Sequence, residues 1–157
     1  MAQNETTSKD LGYDNILKEL KKLESNPFVK VGLPQDGADT NASREGGFTN
    51  LDIAMVQEFG TEDGSIPERS HVRAAFDENK KKLNKLTDVL AGKIMDGKET
   101  VENALNKIGI LKVSNIQKKI RTGLTPAVKR GGTPLLNTGQ YVGSFTYTKV
   151  MNGEGEQ

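Results

Sequence analysis

Two stretches of helical periodicity stand on either side of a four-residue turn, and they constrain this chain more than any other feature. In the first, Val72, Phe76, Leu83, Leu86, Leu90 and Ile94 recur at three/four spacing over about seven turns, with Lys80, Lys81, Lys82 and Lys85 mostly off the stripe. In the second, Val101, Leu105, Ile108, Leu111, Ile116 and Ile120 mark a helix from about Glu99 to Thr122, ended by Gly123 and Pro126. The turn Met95-Asp96-Gly97-Lys98 is too short for anything but a reversal, so the two form an antiparallel helical hairpin. Gly109, inside the second pattern, costs roughly 1 kcal/mol against alanine and marks a kink or a close helix contact.

The flanking segments supply a small sheet. A first helix, capped by Asp10 or Asp14, carries Leu11, Ile16, Leu17, Leu20 and Leu23 and stops at Ser25-Asn26-Pro27, because the residue before proline is pushed out of the α region. Residues 28–33 alternate and carry β-branched side chains, as a strand does, and Pro34 ends it. Residues 143–150 read as a second strand, and pairing of the two closes the N- and C-terminal parts into one sheet. Between them lie a short helix over 50–60, capped by Asn50 or Asp52 and ended by Gly60, and a single helical turn capped by Asn137 or Thr138. Residues 35–50 are Gly, Asp, Asn, Ser and Thr rich and read as a long flexible loop. The expected architecture is α+β: a small, mainly antiparallel β-sheet packed against the long hairpin. The expected organisation is one domain over 10–151, a disordered tail over 1–9 and a polar tail over 152–157.

Composition narrows the function. Only 34% of the 157 residues are apolar and 5% aromatic, so the core is thin for the length. Either part of the chain is flexible or some apolar surface is buried against another subunit. With no cysteine, disulfides, Cys zinc sites and Cys nucleophiles are excluded; with one histidine, His71, so is a multi-His metal site within the chain. No apolar run reaches the roughly 20 residues that span a bilayer, and MAQNETTSKD has neither a basic start nor an apolar run, so neither a membrane span nor a signal peptide is expected. The net charge of +1 hides segregation: residues 103–153 hold eight bases and no acid, whereas residues 1–102 carry a net −5. Such asymmetry marks a polyanion partner, subunits that dock acidic face to basic face, or simply a solvated basic face.

Catalytic patterns are scarce. His71 reads as a capping or surface residue. Asp36 and Asp39 lack the alternation and terminal Glu of a calcium loop. Gly131-Gly132 beside Lys129-Arg130 lacks Walker spacing, and Ser144 is not in a nucleophile elbow. The densest basic stretch within 107–130 is Lys118, Lys119, Arg121, Lys129 and Arg130; it has no aromatic for base stacking, which leaves weak phosphate contact as its nucleic-acid role.

The string Met55-Val56-Gln57-Glu58-Phe59-Gly60-Thr61, followed by Ile66-Pro67-Glu68-Arg69-Ser70 and a helix start through Phe76, resembles a signature of tailed-bacteriophage proteins, E-F-G-T … I-P-x-R. Pro134-Leu135-Leu136-Asn137-Thr138-Gly139-Gln140 with Gly143-Ser144 resembles their later P-L-x-D-T-G segment. The family is that of the neck and tail-completion proteins, also described as minor tail or virion-morphogenesis proteins, of the lambdoid siphophage and myophage type. The resemblance covers roughly residues 51–150, in the family's order. Asn137 stands where the family often has Asp, His71 where an aromatic is common, and Tyr141-Val142 where an aliphatic and a polar residue are usual.

The resemblance implies a structural, non-enzymatic virion protein without cofactor or metal, made in the host bacterial cytoplasm. It implies a homo-oligomeric ring of sixfold or twelvefold symmetry at the head-tail joint. Its neighbours are the head connector and a tail terminator or tube protein, with non-specific contact to channel DNA. A tail terminator capping the tube is the alternative within this class; a nucleic-acid-binding module using residues 107–130 is the alternative outside it. The expected contact residues toward a neighbouring subunit or partner are Arg69, Arg73, Lys118, Lys119, Arg121, Lys129 and Arg130. Arg69 and Arg73, one turn apart at the helix start, otherwise pair with Glu58, Glu62 or Asp77. Among the motif residues, Phe59 is expected to anchor in the core, Gly60 to turn the chain and Pro67 to fix an extended entry. Pro134 is expected to pack the connector onto the hairpin, and Thr138, beside Gly139, to cap the last turn.

Overall fold

The computed structural model describes residues 12–33, 49–122, 124 and 139–152. The expected tail over 1–9, the loop residues 35–48, the end of the polar tail and the connector carrying Lys129, Arg130, Pro134 and Thr138 lie outside the described residues, as do Asp10, Pro34, Asp36, Asp39, Gly123, Pro126 and Asn137.

The elements run α1 (Tyr13–Glu24), β1 (Phe28–Gly32), α2 (Asn50–Phe59), α3 (Val72–Met95), α4 (Val101–Thr122), α5 (Gln140–Gly143) and β2 (Thr146–Val150). α3 and α4 form the expected antiparallel hairpin, and the Glu78–Lys119 ion pair bridges them near the open end. β1 and β2 pair antiparallel, Phe28 opposite Val150 and Gly32 opposite Thr146. Strand alternation turns Val29 and Val31 toward the hairpin and leaves Lys30 exposed. The fold is therefore α+β, mostly helical, with the small sheet lying on α4.

The core has two parts. Leu90, Ile94, Val101, Ala104 and Leu105 fill the closed end of the hairpin, with Val29 against them. Ala75, Ile116, Ile120, Tyr141, Val142 and Phe145 fill the open end, with Val31 against them. Gly109 lies between: a Cβ there would sit 2.3 Å from the Tyr147 ring. The glycine thus admits a strand side chain onto the backbone of α4, so the close contact expected there is with β2 and not with another helix.

Several local expectations are corrected. α1 starts after Gly12 (φ 95°) without a side-chain cap, and Asp14 sits inside its first turn. α2 is capped by Thr49, whose hydroxyl accepts from the Asp52 amide while Asp52 accepts from the Thr49 amide; Asn50 and Asp52 are inside the helix. α4 starts at Val101, whose amide donates to Glu19 of α1 at 2.8 Å, so a neighbouring helix supplies part of the cap. Phe76, read as part of the buried stripe of α3, is 47% exposed, and Ala75 takes the core position. β2 begins at Thr146, not at Gly143, because Gln140–Gly143 is the single helical turn and Ser144 closes it by donating to the Tyr141 carbonyl.

Candidate functional site

The motif segments fold into one unit around Glu58. It lies on the last turn of α2 and is only 7% exposed. Its carboxylate accepts from the backbone amides of His71, Val72 and Arg73 at 2.9–3.0 Å and from the Ser70 hydroxyl at 2.8 Å. These are free amides of the first turn of α3, where the helix dipole also favours a negative charge. Burial pushes the Glu58 carboxyl up, but the three amides and the hydroxyl outweigh it and hold the group at about 2.

Around this anchor the intervening loop folds back. Arg69 N donates to the Gln57 carbonyl at 2.7 Å, and Thr61 N to the Ile66 carbonyl at 3.0 Å. Gly60 has φ 76°, and a Cβ there would lie 2.9 Å from both Glu68 N and Ile66 O. Only glycine allows both the positive φ and this approach, so Gly60 does turn the chain as expected. Pro67 is exposed on the irregular run into α3.

Arg73 reaches back over the same unit. Its Nε donates to Glu58 at 3.0 Å and its Nη2 to Glu68 at 2.7 Å, and its guanidinium lies 5.0 Å from the centre of the Phe59 ring. Of the expected partners, Glu58 is realised. Arg69 is 6% exposed, precedes the helix rather than starting it, and extends Nη1 to Gln57 Oε1 at 3.5 Å. Phe59 is not a core anchor: it is 58% exposed.

The reason is the orientation of α2. Asn50 and Glu58 are its buried residues, with Ile53 and Ala54 packed on the core. Leu51, Met55 and Phe59, at four-residue spacing, form one outward stripe with every member at least 45% exposed. The helix is thus apolar on two faces: Ile53 and Ala54 pack inward beside the buried Asn50 and Glu58, and a second set of large apolar groups faces out.

His71 does occupy the N-cap position of α3, but its side chain makes no cap bond and is fully buried, which corrects its reading as a surface residue. Its Nδ1 lies 3.2 Å from Glu58 Oε2 and 3.4 Å from the Arg69 carbonyl, and its Nε2 lies 2.5 Å from the Tyr141 hydroxyl. Acceptors around Nδ1 place the proton there, so Nε2 accepts from Tyr141. Burial lowers the imidazole's pKa against the opposing pull of Glu58, which favours this neutral form. Tyr141, by the same burial, is pushed up. Phe145 completes an edge-to-face cluster with both rings.

The basic candidates on α4 are dispersed. Lys119 is paired with Glu78, while Lys118 and Arg121 are exposed and meet no carboxylate among the described residues. Gly139 (φ 65°) precedes α5 and accepts from Gly143 N at 2.9 Å. Among the described residues no group of three acidic, His or Cys side chains is placed to hold a metal ion, and no helix is long and apolar enough to cross a membrane.

Comparison with protein-family models, curated proteins and solved structures finds no match for this chain.

Proposed function

We propose that this chain is a structural ring subunit of a tailed-phage neck, joining the DNA-filled head or its connector to the tail, and not a catalyst. The observation that carries the reading is the exposed apolar stripe of α2. Glu58 spends its charge inward on the start of α3, while Leu51, Met55 and Phe59 are held facing out. A lone subunit gains nothing from such a stripe, whereas an assembled one buries it. The resemblance of segments 55–61 and 66–73 to neck proteins supports the same reading, since these segments build that helix and its anchor. A neck subunit works through neighbours: a second copy on each side in a ring of sixfold or twelvefold symmetry, a connector above and a terminator or tube protein below. The tail-terminator position would use the same surfaces.

A second reading, nucleic-acid binding, is favoured by Lys118 and Arg121 on α4, which are exposed and meet no carboxylate among the described residues. Light scattering of the purified protein with negative-stain imaging separates the two. Rings of one size are expected. A strict monomer that binds DNA with a steep salt dependence would overturn the neck reading in favour of the second.

A further inference from the structure

The hairpin has a face that the sheet does not touch. Phe76 and Glu78, two residues apart, leave α3 on opposite sides. Phe76 lies on the sheet side, beside Val29, Val31 and Lys112, whereas the Glu78–Lys119 ion pair joins the two helices along the back. On α3, Lys82, Lys85 and Val89 follow Glu78 at three- and four-residue spacing. On α4 the sheet takes the side of Glu102, Asn106 and Gly109, and Ile110, Ser114, Lys118 and Arg121 form a separate exposed stripe. Val89 and Ile110, both half-exposed, give this back face apolar contacts among its bases. Its charge survives a count of the pairs. Glu78 cancels Lys119, and Glu99 cancels Lys107. Lys81, Lys82, Lys85, Lys118 and Arg121 are exposed and meet no carboxylate among the described residues. Set against Asp77 and Asp88 on the flanking positions of α3, these five bases leave the face positive by three charges.

We infer that this basic back face of the hairpin receives the Leu51–Met55–Phe59 stripe of a second copy of the chain. Charge selects that occupant. From Thr49 to Glu68 the chain contains no lysine or arginine. Asp52 lies on α2 beside Leu51 and Met55, and Glu62 and Asp63 follow Phe59 in the turn, all three exposed. Arg73, which lies over Phe59, does not offset them, because Glu58 and Glu68 already take its charge. An acidic apolar stripe therefore meets a basic face with apolar side chains of its own. Phosphate contacts would use the lysines but leave Val89 and Ile110 uncovered, whereas a protein stripe covers both kinds of group. Stripe and back face are each exposed in the folded chain, so neither covers the other within one copy. The contact joins two different surfaces, so it leaves one of each free and propagates until a ring closes. This closure rests on the neck reading; the docking of the stripe on the hairpin does not.

The test uses the full chain in two charge-reversed forms, all at exposed positions, with circular dichroism to check folding. One carries Lys85→Glu and Lys118→Glu on the hairpin, the other Met55→Lys and Glu62→Lys on the stripe. Each form alone is expected to run as a monomer by light scattering at concentrations where the wild type is assembled. Mixed in equal amounts, they are expected to reassemble, because native stripe then meets native face and reversed stripe meets reversed face. A photo-cross-linker at position 51 of the otherwise native chain is expected to capture residues 82–89 or 110–118 of another copy, which decides the contact even if a variant misfolds. Assembly that persists in both forms, with cross-links elsewhere, would overturn the docking and leave the ring standing. A two-chain wild type that follows the reversal pattern would uphold the docking and overturn the ring. A monomeric wild type would overturn the docking. If that monomer also bound a DNA duplex that the Lys85→Glu, Lys118→Glu form releases, the neck reading would fall too, and the face would belong to nucleic acid.

Discussion

The hydroxyl of Tyr141 and the Nε2 of His71 meet at 2.5 Å inside the open end of the hairpin, 70 residues apart in the chain. This contact joins α5, which leads into β2, to the start of α3, and through His71 to Glu58 on α2. Replacing Tyr141 by Phe keeps the ring packing and strands the imidazole acceptor. The expected loss is about 1–3 kcal/mol in urea unfolding, the usual cost of a buried unpaired group. An unchanged midpoint would mean that the ring stacking alone holds α5 in place.

Stability should fall on the acid side in two stages. His71 has its folded-state pKa lowered, so its contribution is complete above its ordinary 6.5 and erodes as pH falls below that. Glu58, held at about 2 against an ordinary 4.5, contributes fully above 4.5 and loses its contribution as pH falls toward 2. With solvent screening allowed for, Glu58 is worth on the order of 2 kcal/mol at neutral pH. The Glu58→Gln variant should therefore be weaker than the wild type by that amount at pH 7, with the gap closing between pH 4.5 and 2. Parallel urea curves over that window check the sign; a gap that stayed constant would rule out the carboxylate charge as its source.

Gly60→Ala should cost more than an ordinary glycine replacement. The added Cβ meets two backbone atoms at 2.9 Å that cannot swing aside, and φ 76° is strained for any L side chain. A loss of roughly 2 kcal/mol or more is expected, together with weaker assembly, because the loop positions the α2 stripe. Gly64, also at positive φ but with open space around it, is the control: Gly64→Ala should lose only the smaller conformational term.

The hairpin was legible because each of its helices repeats its apolar signal over more than twenty residues. The two strands were legible from alternation, and their pairing followed. The site was much less so. The contacts of Glu58 with His71, Val72 and Arg73 span 13 to 15 residues across an irregular loop, and no local pattern announces them. Phe59 misled because a large aromatic beside a turn glycine reads as an anchor; it lies instead on the outward stripe with Leu51 and Met55, while Ile53 and Ala54 take the core side. His71 carried no periodic signal, being the residue just before α3, and its burial is set by Tyr141 and Phe145 near the far end of the chain. The Thr49-x-x-Asp52 pattern did hold a readable capping box, but Asn50 and Asp52 competed for the same role.

Gly109 and Tyr147 should behave as one packed pair. The ring lies where a Cβ on residue 109 would go, and the hydroxyl makes only a 3.4 Å contact with Asn106. Gly109→Ala, although it improves helix propensity by roughly 1 kcal/mol, should destabilise the fold, because overpacking costs about 1–3 kcal/mol and displaces β2 from α4. Tyr147→Phe should be nearly silent. Tyr147→Ala leaves a gap of its own, but in that background Gly109→Ala should become neutral or stabilising. A double-mutant cycle measures the coupling, expected above about 1 kcal/mol. Additive effects would mean that the sheet can shift on α4, and that the glycine is needed for something other than the approach of the Tyr147 ring.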